Sequence, residues 1–135
     1  MRVRLRLLAR AWQEALVDKV NLIEKFALFD EHWTPKIVGE LNGQYVKLAK
    51  LKGEFVWHHH EAEDEMFFVV NGSLRMRLPE EEVVVGAGEF LIVPRGVEHC
   101  PVADEEVHVL LFEPKSTAHT GNVQSEMTVE ELDWI

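Results

Sequence analysis

Residues 55–72 read FVWHHHEAEDEMFFVVNG, in which three consecutive histidines precede a run of acids. Alternate side chains of an extended strand point to the same side. His58 and His60 are therefore expected to project together, while His59 projects the other way. A four-residue acidic turn follows, and Glu65 then opens the next strand. A hairpin of this length can return that carboxylate to the two imidazoles, so the stretch predicts part of a metal site.

A second stretch, GEFLIVPRGVEHC at residues 88–100, offers a third imidazole. Pro94 fixes φ and Gly96 permits a positive φ, which are the two features that a tight turn needs. The turn redirects the chain so that His99 begins the returning segment. We expect this histidine to be held rigidly and to be available to complete the site.

The body of the chain consists of short apolar runs separated by Gly, Pro and acidic turns, a texture typical of β-structure. Nine short strands in about 80 residues leave no room for crossover helices, so the pairing is expected to be largely antiparallel, as in a sandwich or a barrel. The predicted strands are Ile37 to Leu41, Tyr45 to Leu51, Glu54 to His60, Glu65 to Val70, Ser73 to Leu78, Glu82 to Val85, Phe90 to Val93, Val97 to Val102 and Val107 to Glu113.

Both ends of the chain have helical patterns. Near the start, apolar residues recur every three or four positions, which predicts an amphipathic helix from Leu8 to about Asp30. Near the end, Thr128 and Glu131 fit a capping box and predict a short helix from about Val129 to Trp134. The apolar positions of the first helix are Leu8, Trp12, Leu16, Val20, Ile23 and Ala27.

The chain therefore divides into an N-terminal helical arm over residues 1–36, an all-β domain over 37–115, and a C-terminal tail over 116–135. Its 135 residues suit one well-buried domain better than two. The acidic run Glu80 to Glu82 is most simply a solvent-exposed turn between two predicted strands.

Charge and composition narrow the function classes. The formal net charge is -10, and residues 11–135 carry 10 basic against 24 acidic side chains. Such a surface repels phosphate backbones and anionic lipids, so neither nucleic-acid nor membrane binding is expected. Apolar runs stay well short of the roughly 18 residues of a membrane span. The single cysteine, Cys100, cannot form an internal disulfide, and a cytoplasmic protein is the expectation.

The two histidine stretches resemble the paired motifs of the cupins. The first motif of that family is a glycine, five residues, H-x-H, three or four residues, E, six residues and G. The second motif is a glycine, five residues, P-x-G, two residues, H, three residues and N. Here His58-x-His60, Glu65 and Gly72 match the first motif, and Gly88, Pro94-x-Gly96 and His99 match the second, with fifteen residues between Gly72 and Gly88.

Two positions depart from this pattern. Gly53 lies one residue too close to His58, and Ala103 replaces the final Asn. The resemblance, which is to small single-domain cupins often labelled similar to mannose-6-phosphate isomerase, implies a double-stranded β-helix, a jelly-roll barrel. It also implies that one divalent metal is bound by four ligands, His58, His60, Glu65 and His99.

Neutral imidazoles and one carboxylate leave a divalent ion with a net charge of about +1, still a Lewis acid, and six-coordination leaves two open positions. The metal is expected to be Mn, Fe, Ni, Co or Zn.

Strand alternation places Phe67 and Val69 on the face of Glu65, where they are expected to line the pocket. His108 is a further candidate for the pocket wall or the core. Cys100 is expected to be a small buried side chain.

Two functions are compatible with such a site. One is a metal-dependent oxygenase, isomerase or epimerase acting on a small oxygenated molecule, with no catalytic residue yet assignable beyond the ligands. The other is a non-catalytic, metal-dependent binding or sensing module. Exposed sheet edges and the apolar N-terminal arm favour a homodimer in either case.

Overall fold

A computed structural model of the chain describes residues 17–135 and shows one short helix and eight strands. These elements are α1 (Leu22–Phe26), β1 (Lys36–Leu41), β2 (Gln44–Glu54), β3 (Glu65–Asn71), β4 (Ser73–Arg77), β5 (Glu82–Gly86), β6 (Phe90–Val93), β7 (Cys100–Pro114) and β8 (Asp133–Trp134). No helix in the described part of the chain is long and apolar enough to cross a membrane.

Strand β7 is the centre of the sheet, because its 15 residues pair with β2, β3 and β4. The strand order is β5-β4-β7-β2-β1-β8, and β3 attaches to both β7 and β6. Among the named strands, pairing is antiparallel apart from the short β1–β8 contact, so it is largely antiparallel, as predicted. Over residues 17–135 this ladder does not close into a ring.

The inner face of the sheet carries the main core. Residues alternate between buried and partly exposed along β3 and along the second half of β7. On β3, the inward series is Glu65, Phe67 and Val69, and Val109 and Leu111 of β7 pack with the last two of these. Each such apolar side chain stabilises the fold by about 1.5–3 kcal/mol on burial. The carboxylate of Glu65 therefore lies on the same side of β3 as the core residues Phe67 and Val69.

Two of the predicted strands differ in the structure. The predicted strand Glu54 to His60 is wrong: only Glu54 lies in β2, and within 55–60 only His58 forms a bridge, to His99. Of the predicted strand Val97 to Val102, only Cys100 to Val102 are in β7, which continues through the run beginning at Val107. A register shift between Leu51 and Gly53 bends the β2–β7 pair, and Gly53 adopts a φ of 89°, which glycine tolerates. The histidine segment 55–60 follows this bend and is joined to the sheet only locally.

Within the described residues, the predicted N-terminal helix is reduced to Leu22–Phe26. Residues 17–21 are not helical, and the helix begins after Asn21, whose side chain caps it by accepting a hydrogen bond from the Glu24 N–H at 3.0 Å. Its buried residue is Phe26, whereas Ile23 of the predicted apolar face is 82% exposed. The stretch from Leu8 to Leu16 lies outside the described residues.

The predicted C-terminal helix is wrong. Asp133 and Trp134 form β8, which pairs in parallel with Lys36 and Ile37 of β1. The hydroxyl of Thr128 does not cap a helix: it bonds to the Thr120 hydroxyl and accepts from the Ser125 N–H. The end of the chain pairs with the edge strand β1 and does not form the helix that the local capping pattern predicted.

Candidate metal centre

The two histidine stretches are joined by their backbones. His58 N–H donates to the His99 carbonyl at 3.1 Å, and His99 N–H donates back to the His58 carbonyl at 2.9 Å. A further bond links the Gly96 N–H to the His60 carbonyl at 2.7 Å. The tight turn therefore delivers His99 to the first motif, as predicted.

Backbone carbonyls fix the orientation of two imidazoles. The Nδ1 atoms of His58 and His99 lie 2.9 Å and 3.0 Å from the carbonyl oxygens of Val56 and Val97. Because a carbonyl oxygen only accepts, each Nδ1 must carry the hydrogen and donate it. The neutral ring then has an unprotonated Nε2, the form in which histidine binds metals.

Four buried side chains converge at one point: His58, His60, Glu65 and His99. One ligand atom from each lies within 4.8 Å of all the others. Glu65 Oε1 is 3.2 Å from His60 Nε2 and 3.4 Å from His99 Nε2. The histidines at 58 and 60 share a side although their segment is not a regular strand.

Three of these atoms have unmet bonding capacity. His60 Nε2, Glu65 Oε1 and His99 Nε2 are buried without a well-formed hydrogen bond. A buried polar group without a partner costs about 1–3 kcal/mol. A divalent cation coordinated by imidazole nitrogens and a carboxylate oxygen would satisfy all three, so the donor set fits a metal of the Mn-to-Zn series.

The charge states suit ligation. Burial, with the nearby His99, lowers the pKa of His58 to about 4, so this ring is neutral at pH 7. Burial alone would raise the pKa of Glu65, but contacts with His60 and His99 hold it well below its usual value. The cluster thus presents a neutral imidazole at His58 and an ionised carboxylate, the forms that metal binding requires.

A small apolar pocket of about 30 Å³ adjoins the cluster. Phe67 lines it, as predicted, together with the stacked rings of Trp33 and Phe55. The other two predicted wall residues do not line it. Val69 is fully buried in the core, and His108 lies on the outer face of the sheet, where its ring stacks on Phe26 at 4.5 Å.

An ion pair inside the pocket was not predicted as part of the site. Lys47 Nζ donates to Glu113 Oε1 at 2.7 Å, and both side chains are buried. Burial and the charge of Glu65 raise the pKa of Glu113 well above its usual value. The available sequence signal was alternation, since Lys47 is in phase with Ala49 and Leu51, and Glu113 with Leu111.

His119, in the loop after β7, is a second group that no pattern in the sequence singled out. It lines the pocket and contacts Phe55, with ring centroids 5.2 Å apart. The Val129 N–H donates to its Nδ1 at 2.9 Å. Burial, with Lys47 nearby, lowers the pKa of His119 to about 4. Because His119 lies in a loop, no alternation of apolar and polar residues in the sequence predicts that its ring is buried.

The C-terminal segment that carries His119 is fixed against the histidine stretch. The Asn122 side chain accepts from the His59 N–H at 2.9 Å, and the Asn122 N–H donates to the His59 carbonyl at 3.1 Å. Gly121 has a φ of 57°, and a Cβ there would lie 2.2 Å from the His59 carbonyl oxygen. Only glycine permits this approach.

Two remaining predictions concern neighbouring residues. His59 points away from the cluster, and its Nδ1 lies 2.8 Å from Glu98 Oε1, an interaction that raises the pKa of His59. Cys100 is fully buried, as predicted, and burial raises the pKa of its thiol. Neither side chain belongs to the group of converging ligand atoms.

Comparison with known proteins bears on the same residues. The family model for the Cupin domain matches residues 44–114, which include all four converging side chains. Among curated proteins, the uncharacterized protein YdbB of Bacillus subtilis is 38% identical over 63 residues, which cover 46% of this chain. The match spans 56% of that relative's length.

Solved structures show the same fold. A cupin-2 domain containing protein from Shewanella frigidimarina is 42% identical with a TM-score of 0.71, covering 71% of this chain and 94% of that one. Protein NMB1881 from Neisseria meningitidis is 28% identical with a TM-score of 0.67, covering 73% of this chain and 100% of that one.

Proposed function

The chain belongs to the cupin family, and we propose that it is a metal-dependent enzyme for a small oxygenated molecule, with one divalent transition metal as its cofactor. The proposed ligands are the Nε2 atoms of His58, His60 and His99 and the carboxylate of Glu65. The observation that carries the proposal is the convergence of these four buried groups, three of them with unsatisfied atoms.

The chemistry of the donor set supports a reactive site. When bound, the metal would supply Lewis-acid polarisation of a substrate oxygen. Closed four-coordinate sites of structural zinc are commonly rich in cysteine, whereas three histidines and a carboxylate also suit Mn, Fe, Ni and Co. The only cysteine, Cys100, is not among the converging groups.

Side chains around the pocket support binding and orientation of a substrate. Trp33, Phe55 and Phe67 exclude water from the cluster. Lys47 and Glu113 present an ammonium and a carboxyl group to the same space. These two groups can donate to and accept from a substrate oxygen, a role for which the sequence offered no dedicated residue.

Metal content provides the first test. We expect protein purified without chelators to contain about one divalent metal per chain by elemental analysis, and His58→Ala to lose it. His59→Ala is the matched control, because that neighbouring ring points away from the cluster. Circular dichroism of each variant monitors folding. Equal metal content in the two variants would contradict the ligand assignment.

Turnover provides the second test. Metal-loaded protein is incubated with diketones, phenols, thiols and sugars while dioxygen uptake is followed, and in D₂O while NMR follows solvent deuterium entering carbon positions. Uptake indicates an oxygenase, and deuterium exchange indicates an isomerase or epimerase. Saturable, metal-dependent binding without either signal would overturn the enzyme proposal in favour of a sensing module.

A further inference from the structure

The apolar pocket beside the metal ligands is too small for most of a substrate. The pocket beside His58 and Glu65 has a volume of about 30 Å³. Sites for small molecules commonly measure about 300–1,000 Å³. A molecule that reaches the metal through this pocket must therefore place most of its atoms elsewhere.

A second, larger cavity adjoins this pocket. It measures about 560 Å³ and lies between the C-terminal segment, residues 115–134, and the inward side chains of β1 and β2. We call it the C-terminal cavity. Lys47, His119 and Leu132 line both spaces, so these three side chains form the wall that the two share. The family match ends at residue 114, before most of the lining of this cavity.

One lining group lacks a partner. Thr117 is only 7% exposed, and its hydroxyl has no hydrogen bond. By contrast, the hydroxyl of Thr120 is bonded to the Val123 carbonyl and to Thr128. A buried hydroxyl without a partner is costly, so an oxygen supplied by a ligand would stabilise Thr117.

Charges in the cavity select against an anionic ligand. The lining lysines are already paired: Lys47 Nζ donates to the Glu113 carboxyl group at 2.7 Å, and Lys115 Nζ to the Glu40 carboxylate at 3.1 Å. Glu130 and Glu131 add two further acids. A phosphate would meet net negative charge here, whereas hydroxyl groups can bond to Thr117 and Gln124. Tyr45 and Trp134, in edge contact at 5.8 Å, supply an aromatic wall.

We propose that the C-terminal cavity binds the body of the substrate and that this substrate is an uncharged, hydroxylated small molecule of the polyol or sugar class. One oxygen would extend past Lys47 and His119 to the metal. The inference rests on the proposed function and assigns the C-terminal segment to substrate recognition.

The test uses myo-inositol, D-glucose and D-mannose as probes, with D-glucose 6-phosphate as the charged counterpart. Saturation-transfer NMR on full-length zinc-loaded protein measures binding, and relaxation of probe protons by manganese-loaded protein measures closeness to the metal. We expect saturable binding of a neutral probe with manganese-dependent relaxation, and binding of the phosphate ester at least about tenfold weaker.

Three variants examine the lining. Loss of one hydrogen bond weakens binding by about fivefold, so Thr117→Val is expected to bind that much more weakly than Thr117→Ser, which keeps the hydroxyl. Gln124→Trp, at an exposed lining position, should obstruct the cavity and abolish binding. All three are expected to retain wild-type metal content, because none changes a proposed ligand.

The inference is overturned if no neutral probe binds, if the phosphate ester binds more tightly, or if Thr117→Val and Thr117→Ser bind equally. These outcomes leave the metal proposal standing when metal content is normal. Conversely, wild-type protein that takes up no metal refutes the proposed function, while saturation transfer still reports on the cavity.

Discussion

At the residue scale, His119 shows how one side chain connects the C-terminal segment to the pocket. Its Nδ1 accepts a hydrogen bond from the Val129 N–H, so the ring is neutral with its hydrogen on Nε2. Burial keeps it neutral, which is why its pKa falls to about 4 from the ordinary 6.5. Protonation would remove the acceptor and place a charge near Lys47.

This lowered pKa predicts a pH-dependent stability. Between pH 6.5 and 4 the unfolded chain binds a proton at His119 that the folded chain does not, so the free energy of unfolding falls as the pH falls through this range. The contribution of His119 is about 2–3 kcal/mol. His119→Asn keeps an acceptor for Val129 but cannot titrate, so its stability should fall less.

Urea unfolding at pH 7 and pH 4.5, with chelator present for both proteins, measures the difference. His58 has a lowered pKa as well, but it is common to both proteins and cancels in the comparison. Parallel losses of stability in wild type and His119→Asn would contradict the assigned role.

At the element scale, two turns are tied together beside the ligands. The Asp64 carboxylate, in the acidic turn, accepts from the Arg95 N–H at 2.9 Å, and Gly96 in the same tight turn donates to the His60 carbonyl. Asp64 thus holds the turn after β6 against the segment that carries His60. Contacts of this kind orient metal ligands without touching the metal.

Asp64→Ala is accordingly expected to weaken metal affinity by about tenfold, the lower end of the range for residues that support ligands. Asp64→Asn keeps the accepting oxygen and should retain most of the affinity. Competition with a chromophoric zinc chelator measures both. Equal affinities for the two variants would show that the turn-to-turn hydrogen bond does not support the site.

The same elements show what the sequence could predict. Alternation predicted that His58 and His60 project to one side, and the Pro94–Gly96 turn predicted a rigidly held His99, because each of these signals is local. Their convergence with Glu65 was implied by the resemblance to cupins. The C-terminal helix failed because Thr128 bonds to Thr120, a contact that no local pattern encodes. Lys47 and Glu113 were missed because their partnership arises only when β2 and β7 pair.

At the scale of the whole molecule, the outer side of β6 is unusually apolar. Phe90 and Ile92 are 59% and 55% exposed, and they pair across the strands with Phe68 and Met66 of β3. Over the described residues β6 pairs only with β3, so its other edge offers backbone groups to a partner. Exposed apolar patches commonly mark interaction surfaces.

We therefore expect the chain to form a homodimer and Phe90→Glu to weaken it by at least tenfold, because a carboxylate would be desolvated at the contact. Sedimentation velocity over a concentration series measures the dissociation constant. Leu28→Glu, at an exposed position beyond α1, is the matched control. A wild-type protein that sediments as a monomer at high concentration would contradict the expectation.

The depth of the four proposed ligands has a consequence for metal selection in the cell. None of these residues is more than 6% exposed, and the C-terminal segment is hydrogen-bonded to the adjoining histidine stretch. Release of an ion would require movement of the buried side chains between the cluster and the C-terminal cavity, and motions that open buried segments are infrequent. The metal that the protein binds in the cell would then depend more on which cations were available during its synthesis than on which cation binds most strongly at equilibrium.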